Sequence, residues 1–179
     1  MNVARVLSLA VWLSLPLAAA DARSDEGYIT DKNGCKIANP SPKPSESVTW
    51  SGACKDGFAD GDGIMQWYDQ DKPGARYEGT LARGLLSGNG KLTLSDGTSY
   101  EGGWLDGKQH GNGTLRAADG GSYIGEWKNG MPDGPGVMRN AAGEAMRGLF
   151  KAGAYVGPSN DKEQRGAGQL QLKMPAPEK

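Results

Sequence analysis

The sequence predicts an all-β chain: an elongated single-layer antiparallel sheet of stacked β-hairpins, with an N-terminal segment tied on by a disulfide. Three observations predict it. Glycine makes up 29 of 179 residues, about 16% where proteins average ~7%. The glycines recur in a fixed register, and an aromatic residue opens most units of that register. A chain so rich in glycine and so poor in Leu, Ile, Val and Phe cannot build a thick globular core, which disfavours a conventional enzyme domain. Its charges nearly cancel, 20 Lys+Arg against 21 Asp+Glu. It therefore lacks the cationic stripe that holds nucleic acid through its phosphates.

Residues 1–20 have the chemistry of a secretory signal peptide. Arg5 supplies a positive charge, Val6 to Ala20 is an almost unbroken apolar run, and Ala18, Ala19 and Ala20 offer small residues before a cut. The run is short of the ~20 residues that span a bilayer. The expectation is an exported protein, periplasmic, cell-surface or extracellular. Export changes the meaning of Cys35 and Cys54. An even pair in an oxidising compartment favours a disulfide, worth roughly 3 kcal/mol for a loop of this size; the alternative is two buried thiols. Residues 21–47 read as a capping segment, crossed by the proline-rich stretch Asn39-Pro-Ser-Pro-Lys-Pro44, which is extended rather than helical.

The repeats occupy residues 48–157. With Trp50, Tyr77, Tyr100, Tyr123 and Met146 as starts, glycine falls two residues on (Gly52, Gly79, Gly102, Gly125, Gly148), seven on (Gly57, Gly84, Gly107, Gly130, Gly153) and eleven on (Gly61, Gly88, Gly111, Gly134, Gly157). It falls thirteen on at Gly63, Gly90, Gly113 and Gly136, and only Ser159 breaks that slot. A period of this size means stacked supersecondary units. Within a unit, Tyr100-Glu-Gly-Gly-Trp104 puts ring, glycine and ring on one face of a strand. Leu105 to Gly111 reads as turn material, Gly113 to Ala117 as a returning strand, and Ala118-Asp-Gly120 as the turn into the next unit. The four extra residues of the first interval suggest an enlarged loop around Asp69 to Gly74. Glycine beneath the rings leaves the pleat empty, so a ring can lie across the backbone. Tyr77, Tyr100, Tyr123, Trp104, Trp127, Leu92, Leu94 and Leu115 are expected to form a ribbon on one face, and Leu81, Trp104, Trp127 and Phe150 share the fourth offset. In the first unit Cys54 takes that offset, so the disulfide would cap the edge of the first hairpin.

The recurring Y-x-G-x-W-x-x-G-x-x-x-G-x-G-x-L pattern resembles the MORN repeat family (membrane occupation and recognition nexus). Tyr77-Glu-Gly, Tyr100-Glu-Gly-Gly-Trp104 and Tyr123-Ile-Gly-Glu-Trp127 match its opening signature, and Gly88-Asn-Gly90, Gly111-Asn-Gly113 and Gly134-Pro-Gly136 its later one. Trp50 and Met146 depart from it and mark end units. The framework from Gly34-Cys35 to Cys54-Lys-Asp-Gly57 is similar to that of bacterial secreted MORN proteins. The resemblance implies a noncatalytic module for protein association or phospholipid contact.

Beyond the repeats, Gly166-Ala-Gly168-Gln-Leu170-Gln-Leu172 copies Gly88-Asn-Gly90-Lys-Leu92-Thr-Leu94, nine residues too late for the fifth unit. It reads either as the closing strand of a hairpin with a long polar turn from Tyr155 to Arg165, or as a chance pattern in a disordered tail. Residues 173–179 are expected to be disordered. Several apparent site signals dissolve in the repeat register. Gly102 to Lys108 has P-loop spacing, but Gln109 stands where Ser or Thr would hold magnesium. Asp56, Asp60, Asp62, Asp69 and Asp71 lack the order of an EF-hand and read as solvated turn carboxylates. His110 reads as a turn residue without a nucleophile beside it, and Asn112-Gly-Thr114 is a glycosylation sequon framed by repeat glycines. No enzyme activity, cofactor or metal site is expected.

The candidate site is therefore a surface. A thin sheet leaves its rings partly exposed, so Tyr77, Tyr100, Trp104, Tyr123 and Trp127 are the candidate contact residues, unless they simply complete the core. The expected partner is a protein or a second copy of the chain. Weak phospholipid contact, or glycan and cell-wall binding through the rings, are alternatives; nucleic acid is not expected.

Overall fold

The computed structural model describes residues 27–159. Thirteen strands form one open sheet: β1 (Tyr28–Thr30), β2 (Lys36–Ala38), β3 (Glu46–Trp50), β4 (Ala53–Lys55), β5 (Phe58–Asp69), β6 (Lys72–Ala82), β7 (Leu85–Thr93), β8 (Ser99–Leu105), β9 (Lys108–Arg116), β10 (Ser122–Lys128), β11 (Met131–Arg139), β12 (Ala145–Lys151) and β13 (Ala154–Gly157). Spatial order follows the chain from β5 to β13. At the N-terminal end β1 pairs with β2, and β2, β3 and β4 all pair with β5. Every pairing is antiparallel except β2 with β5, which is parallel and touches at Lys36 and Phe58. The hairpins expected from the first four repeats are present, and in the fifth unit β12 pairs with the four-residue β13; the expected closing strand, residues 166–172, lies outside the described residues. The strand number exceeds ten because β1 and β2 form a cap and Gly52 splits the first leading strand into β3 and β4.

Turn chemistry differs from the expectation in two places. The turn inside each unit is only two residues, both in the left-handed region, as at Asp106 (φ 48°) and Gly107 (φ 78°). That is the I′ geometry whose twist matches the flanking strands. Residues 108–111, expected in a turn, therefore lie in β9, and His110 with them. The enlarged loop around Asp69 to Gly74 is absent. Gln70 (φ 50°) and Asp71 (φ 61°) make another two-residue turn, and the four extra residues lengthen β5 and β6 to 12 and 11 residues. Pro73 is tolerated there because β7 pairs with β6 only from Arg76 onward, leaving no ladder partner for a missing N–H. Tyr155 to Gly157, expected to open a long turn, lie in β13 instead, and residues 160–165 of that expected turn lie outside the described residues.

The strands are in register on glycine. Gly63, Gly79, Gly90, Gly102, Gly113, Gly125, Gly136 and Gly148 lie side by side across β5 to β12. Rings lie on that row. A Cβ on Gly79 would sit 2.5 Å from the Tyr77 hydroxyl, and one on Gly125 would sit 2.6 Å from the Tyr123 hydroxyl. Gly90, Gly113 and Gly136, one strand further on, are covered by Tyr77, Tyr100 and Tyr123 respectively. At the N-terminal end Trp50 plays the tyrosine's part, its ring lying over Gly52 and Gly63.

The cap is held by backbone and disulfide together. Cys35 and Cys54 are joined, with Cα atoms 5.5 Å apart, as the sequence led us to expect. Lys36 N–H donates to the Gly57 carbonyl (2.9 Å) and Ala38 N–H to the Gly84 carbonyl (2.9 Å). Asp31 is buried because its carboxylate receives the backbone N–H groups of Asn33 (2.9 Å) and Cys35 (2.8 Å) in the β1–β2 turn. Phe58 seals the corner, with Tyr28 edge-on at 5.4 Å and the Arg83 guanidinium 5.5 Å from its centroid.

Candidate interaction surface

The aromatic residues singled out in the sequence do come together, but as a core. Tyr77 is fully buried, Tyr100 and Tyr123 are 2% exposed, and Trp104 and Trp127 are 5% exposed. The expectation of a partly exposed ribbon is thus corrected. Burial in one layer is possible because the rings cover one another. Tyr77, Trp104, Tyr100, Trp127, Tyr123, Phe150 and Tyr155 form an unbroken edge-to-face series with centroids 5.0–5.7 Å apart. Each such pair contributes about 0.5–1.5 kcal/mol beyond the area it buries. Leu81, at the fourth offset of the second unit, is 1% exposed, while Leu92 and Leu115 are partly buried against the core. Leu94 is 40% exposed in the turn after β7 and does not join the ribbon.

The polar ends of the rings are satisfied by backbone at fixed offsets. Tyr77, Tyr100 and Tyr123 donate their hydroxyls to the carbonyls three residues on, at Thr80, Gly103 and Glu126 (3.0–3.1 Å). Trp50 Nε1 reaches the equivalent carbonyl of Ala53 (2.9 Å). Trp104 and Trp127 donate to Gly90 and Gly113 of the preceding unit (3.2 Å). These demands explain the register shift in β6, β8 and β10, between Gly79 and Thr80, Gly102 and Trp104, and Gly125 and Trp127. A bulge there leaves a carbonyl unpaired and bends the strand. Desolvation by burial pushes all three tyrosine hydroxyls up to about 12, so they remain donors at any physiological pH.

With the aromatic face closed, the opposite face carries the surface chemistry. One cross-strand row runs Ile64, Glu78, Lys91, Glu101, Thr114, Ile124, Val137 and Arg147. Two open concavities lie along it. The larger, about 560 Å³, is lined by Glu78, Asn89, Lys91 and Glu101; the smaller, about 200 Å³, by Glu101, Asn112, Thr114 and Ile124. Glu101 is common to both. The Arg76 guanidinium donates to Glu78 (2.5 Å) and holds its carboxyl below the usual range, with Lys91 adding to the effect. This strip was not singled out in the sequence, although the alternation that puts Tyr100 inward puts Glu101 outward.

The other sequence candidates fall elsewhere. Asp60 accepts the Arg83 backbone N–H (3.1 Å) and Asp62 the Thr80 hydroxyl (2.5 Å), so both brace the first two hairpins. Among the described residues no group of three or more His, Cys, Asp or Glu side chains is placed to hold a metal ion. His110 is half-buried in β9, and its Nδ1 is buried without a hydrogen-bond partner. No helix among the described residues is long and apolar enough to cross a membrane.

An open sheet built from hairpins in identical register, with one ring face closed and one polar face exposed, defines a β-hairpin repeat protein. The MORN repeat family model matches residues 77–99, 100–122 and 123–144, and these three consecutive units are MORN repeats. Among curated proteins none matches the chain. MORN repeats are consistent with a module for protein or membrane interaction, and the Cys35–Cys54 bond fits an oxidising, non-cytosolic environment.

Proposed function

We propose that the mature chain is a noncatalytic, exported repeat scaffold of the cell envelope that holds a protein partner on the polar face of its sheet. The observation that carries this reading is the closure of the ring face. With Trp104 and Trp127 each 5% exposed, the rings offer little for a sugar to stack on. The strip from Glu78 to Ile124 remains as a long, shaped surface of mixed charge. Mixed charge suits a protein of complementary pattern better than an anionic bilayer, which rewards excess Lys and Arg. Export rests on the leader-like residues 1–20, which lie outside the described residues, and on the disulfide. A surface that binds without chemistry needs no cofactor.

The test is capture from an envelope extract with the mature chain and its Glu101→Arg variant, beside sedimentation with anionic vesicles and with peptidoglycan. A protein captured by the native chain and lost with Glu101→Arg, while the variant stays folded, supports the proposal. Capture that survives Glu101→Arg, or sedimentation with vesicles or peptidoglycan and no captured protein, overturns it.

A further inference from the structure

The polar face divides its charge by position along the array. Beside the row from Ile64 to Arg147, a second outward row runs through Arg76, Ser99, Arg116, Ser122 and Arg139. Its members stand two residues along each strand from those of the first row, so both rows face the same side. The carboxylates of the two rows, Glu78 and Glu101, are on β6 and β8. On β9, β11 and β12 the same rows carry Arg116, Arg139 and Arg147 and no carboxylate. Among the described residues Glu101 and these three arginines form no ion pair. Arg139 donates only to the Gly143 carbonyl (3.4 Å), and Glu101, Arg116 and Arg147 are exposed. One half of the face thus holds an uncompensated carboxylate and the other half uncompensated guanidinium groups.

We propose that this face docks on a second copy of the chain, the two sheets lying face to face about a two-fold axis parallel to the strands and midway between β8 and β9. This assignment rests on the polar-face reading above and identifies the partner. Such an axis reverses strand order across the interface, so β8 lies over β9 of the second copy and β6 over its β11. Glu101 then meets the strand that carries Arg116, and Glu78 the strand that carries Arg139. Symmetry makes each contact twice. Each arginine stands one outward place from the position directly opposite, ~7 Å along the strand, a gap that its long side chain crosses. Arg76 is also on β6, but its guanidinium is held by Glu78, whose carboxylate then lies between it and Arg139 of the second copy. An axis running across the strands would lay each strand over its own copy and bring acid to acid and arginine to arginine, which like-charge repulsion opposes.

The area suits a dimer. With the outward row of Asn89, Asn112 and Glu126 beside them, the two rows extend over seven strand spacings from β5 to β12, roughly 34 Å by 20 Å. That is about 700 Å², close to the ~800 Å² that each partner buries in a standard interface. Ile64, Ile124 and Val137 add apolar contact within the strip.

Charge exchange in the mature chain tests the pairing. Sedimentation equilibrium should find the native chain dimeric, and Glu101→Arg or Arg116→Glu alone should weaken the dimer by roughly tenfold or more. An equimolar mixture of the two variants should recover the native affinity, because both of its contacts again join a carboxylate to a guanidinium. Circular dichroism checks that each variant is folded. On the unmutated chain, raising NaCl from ~50 to ~500 mM should weaken the dimer by a similar factor. A native chain that stays monomeric at ~100 μM overturns the second-copy assignment, while the polar-face reading is still decided by capture of a different protein. A dimer that keeps its affinity in both variants, a mixture that stays monomeric, or a dimer indifferent to salt would each overturn the proposal as well.

Discussion

Replacing Gly102 by valine puts the glycine row to a direct test. A Cβ at this position would lie 2.5 Å from the Asn112 carbonyl oxygen, 2.5 Å from the Gly113 Cα and 2.9 Å from the Tyr100 hydroxyl. Two of the three obstacles are backbone of β9. That strand cannot retreat, because Gly113 is paired with Gly102 on one side and Gly125 on the other. Overpacking of this kind costs about 1–3 kcal/mol. Displacing the Tyr100 hydroxyl from the Gly103 carbonyl adds about 0.5–1.5 kcal/mol, for a total near 2–4 kcal/mol. At about 4 °C per kcal/mol for a domain of this size, Tm should fall by roughly 8–16 °C. Thermal unfolding followed by far-UV circular dichroism and tryptophan fluorescence would measure it, with Lys128→Ala on the exposed strand end as a control near zero. A Gly102→Val protein melting within about 2 °C of the native one would show that neither ring nor neighbouring strand fills that space.

Three further outcomes follow from the same packing. Trp127→Ala removes a ring wedged between Tyr100 and Tyr123 and should cost about 3–5 kcal/mol in chemical denaturation; a loss under ~1 kcal/mol would mean that the ring is not core. Tyr77, Tyr100 and Tyr123 have folded-state values near 12, above the ~10 of an unfolded chain. Their contribution to stability is therefore complete below pH 10 and lost as pH rises toward 12. Spectrophotometric titration should show these three ionising only as the sheet unfolds, and their ionisation near pH 10 in a folded protein would contradict this. Reduction of Cys35–Cys54, 19 residues apart in sequence, should remove roughly 3 kcal/mol from the cap. Hydrogen exchange should then rise in β1 and β2 before β8 to β11, and uniform exchange would argue against a separately stabilised cap.

The repeat register was legible because glycine marks it at four offsets, and the positions of Gly79, Gly102 and Gly125 under their rings followed from strand alternation. Trp50 could be placed as a tyrosine equivalent by its offset alone. Other features are set by interactions that periodicity does not weigh. Arg83, Asn129 and Ala152 occupy the first position of two-residue turns, and neither Arg nor Ala announces a left-handed conformation. The turns are therefore shorter than the glycine spacing indicates, and His110 lies within a strand. The rings are buried even though a single sheet has no second layer of secondary structure. Its second layer is the rings themselves, each covered by rings from two units. Tyr155 belongs to the same set, five residues after Phe150, but its unit opens with Met146 and the aromatic signal there is displaced to the returning strand.

That displacement bears on how such an array changes length. Trp104 sits between Tyr77 and Tyr100, and Trp127 between Tyr100 and Tyr123. Gly107 N–H donates to Leu86, and Gly130 N–H to Gln109, one unit back. Every internal junction is thus the same junction. Excising residues 100–122 would bring Trp127 against Tyr77 in the relation Trp104 now holds, with no new interface required, and duplicating them would be as seamless. The ends have no such freedom: Trp50 and the disulfide at one, Met146 and Tyr155 at the other, each terminate the series in its own way. Inherited gain or loss of units should accordingly be confined to whole 23-residue steps between Tyr77 and Met146, where the molecule tolerates recombination as a chain tolerates links.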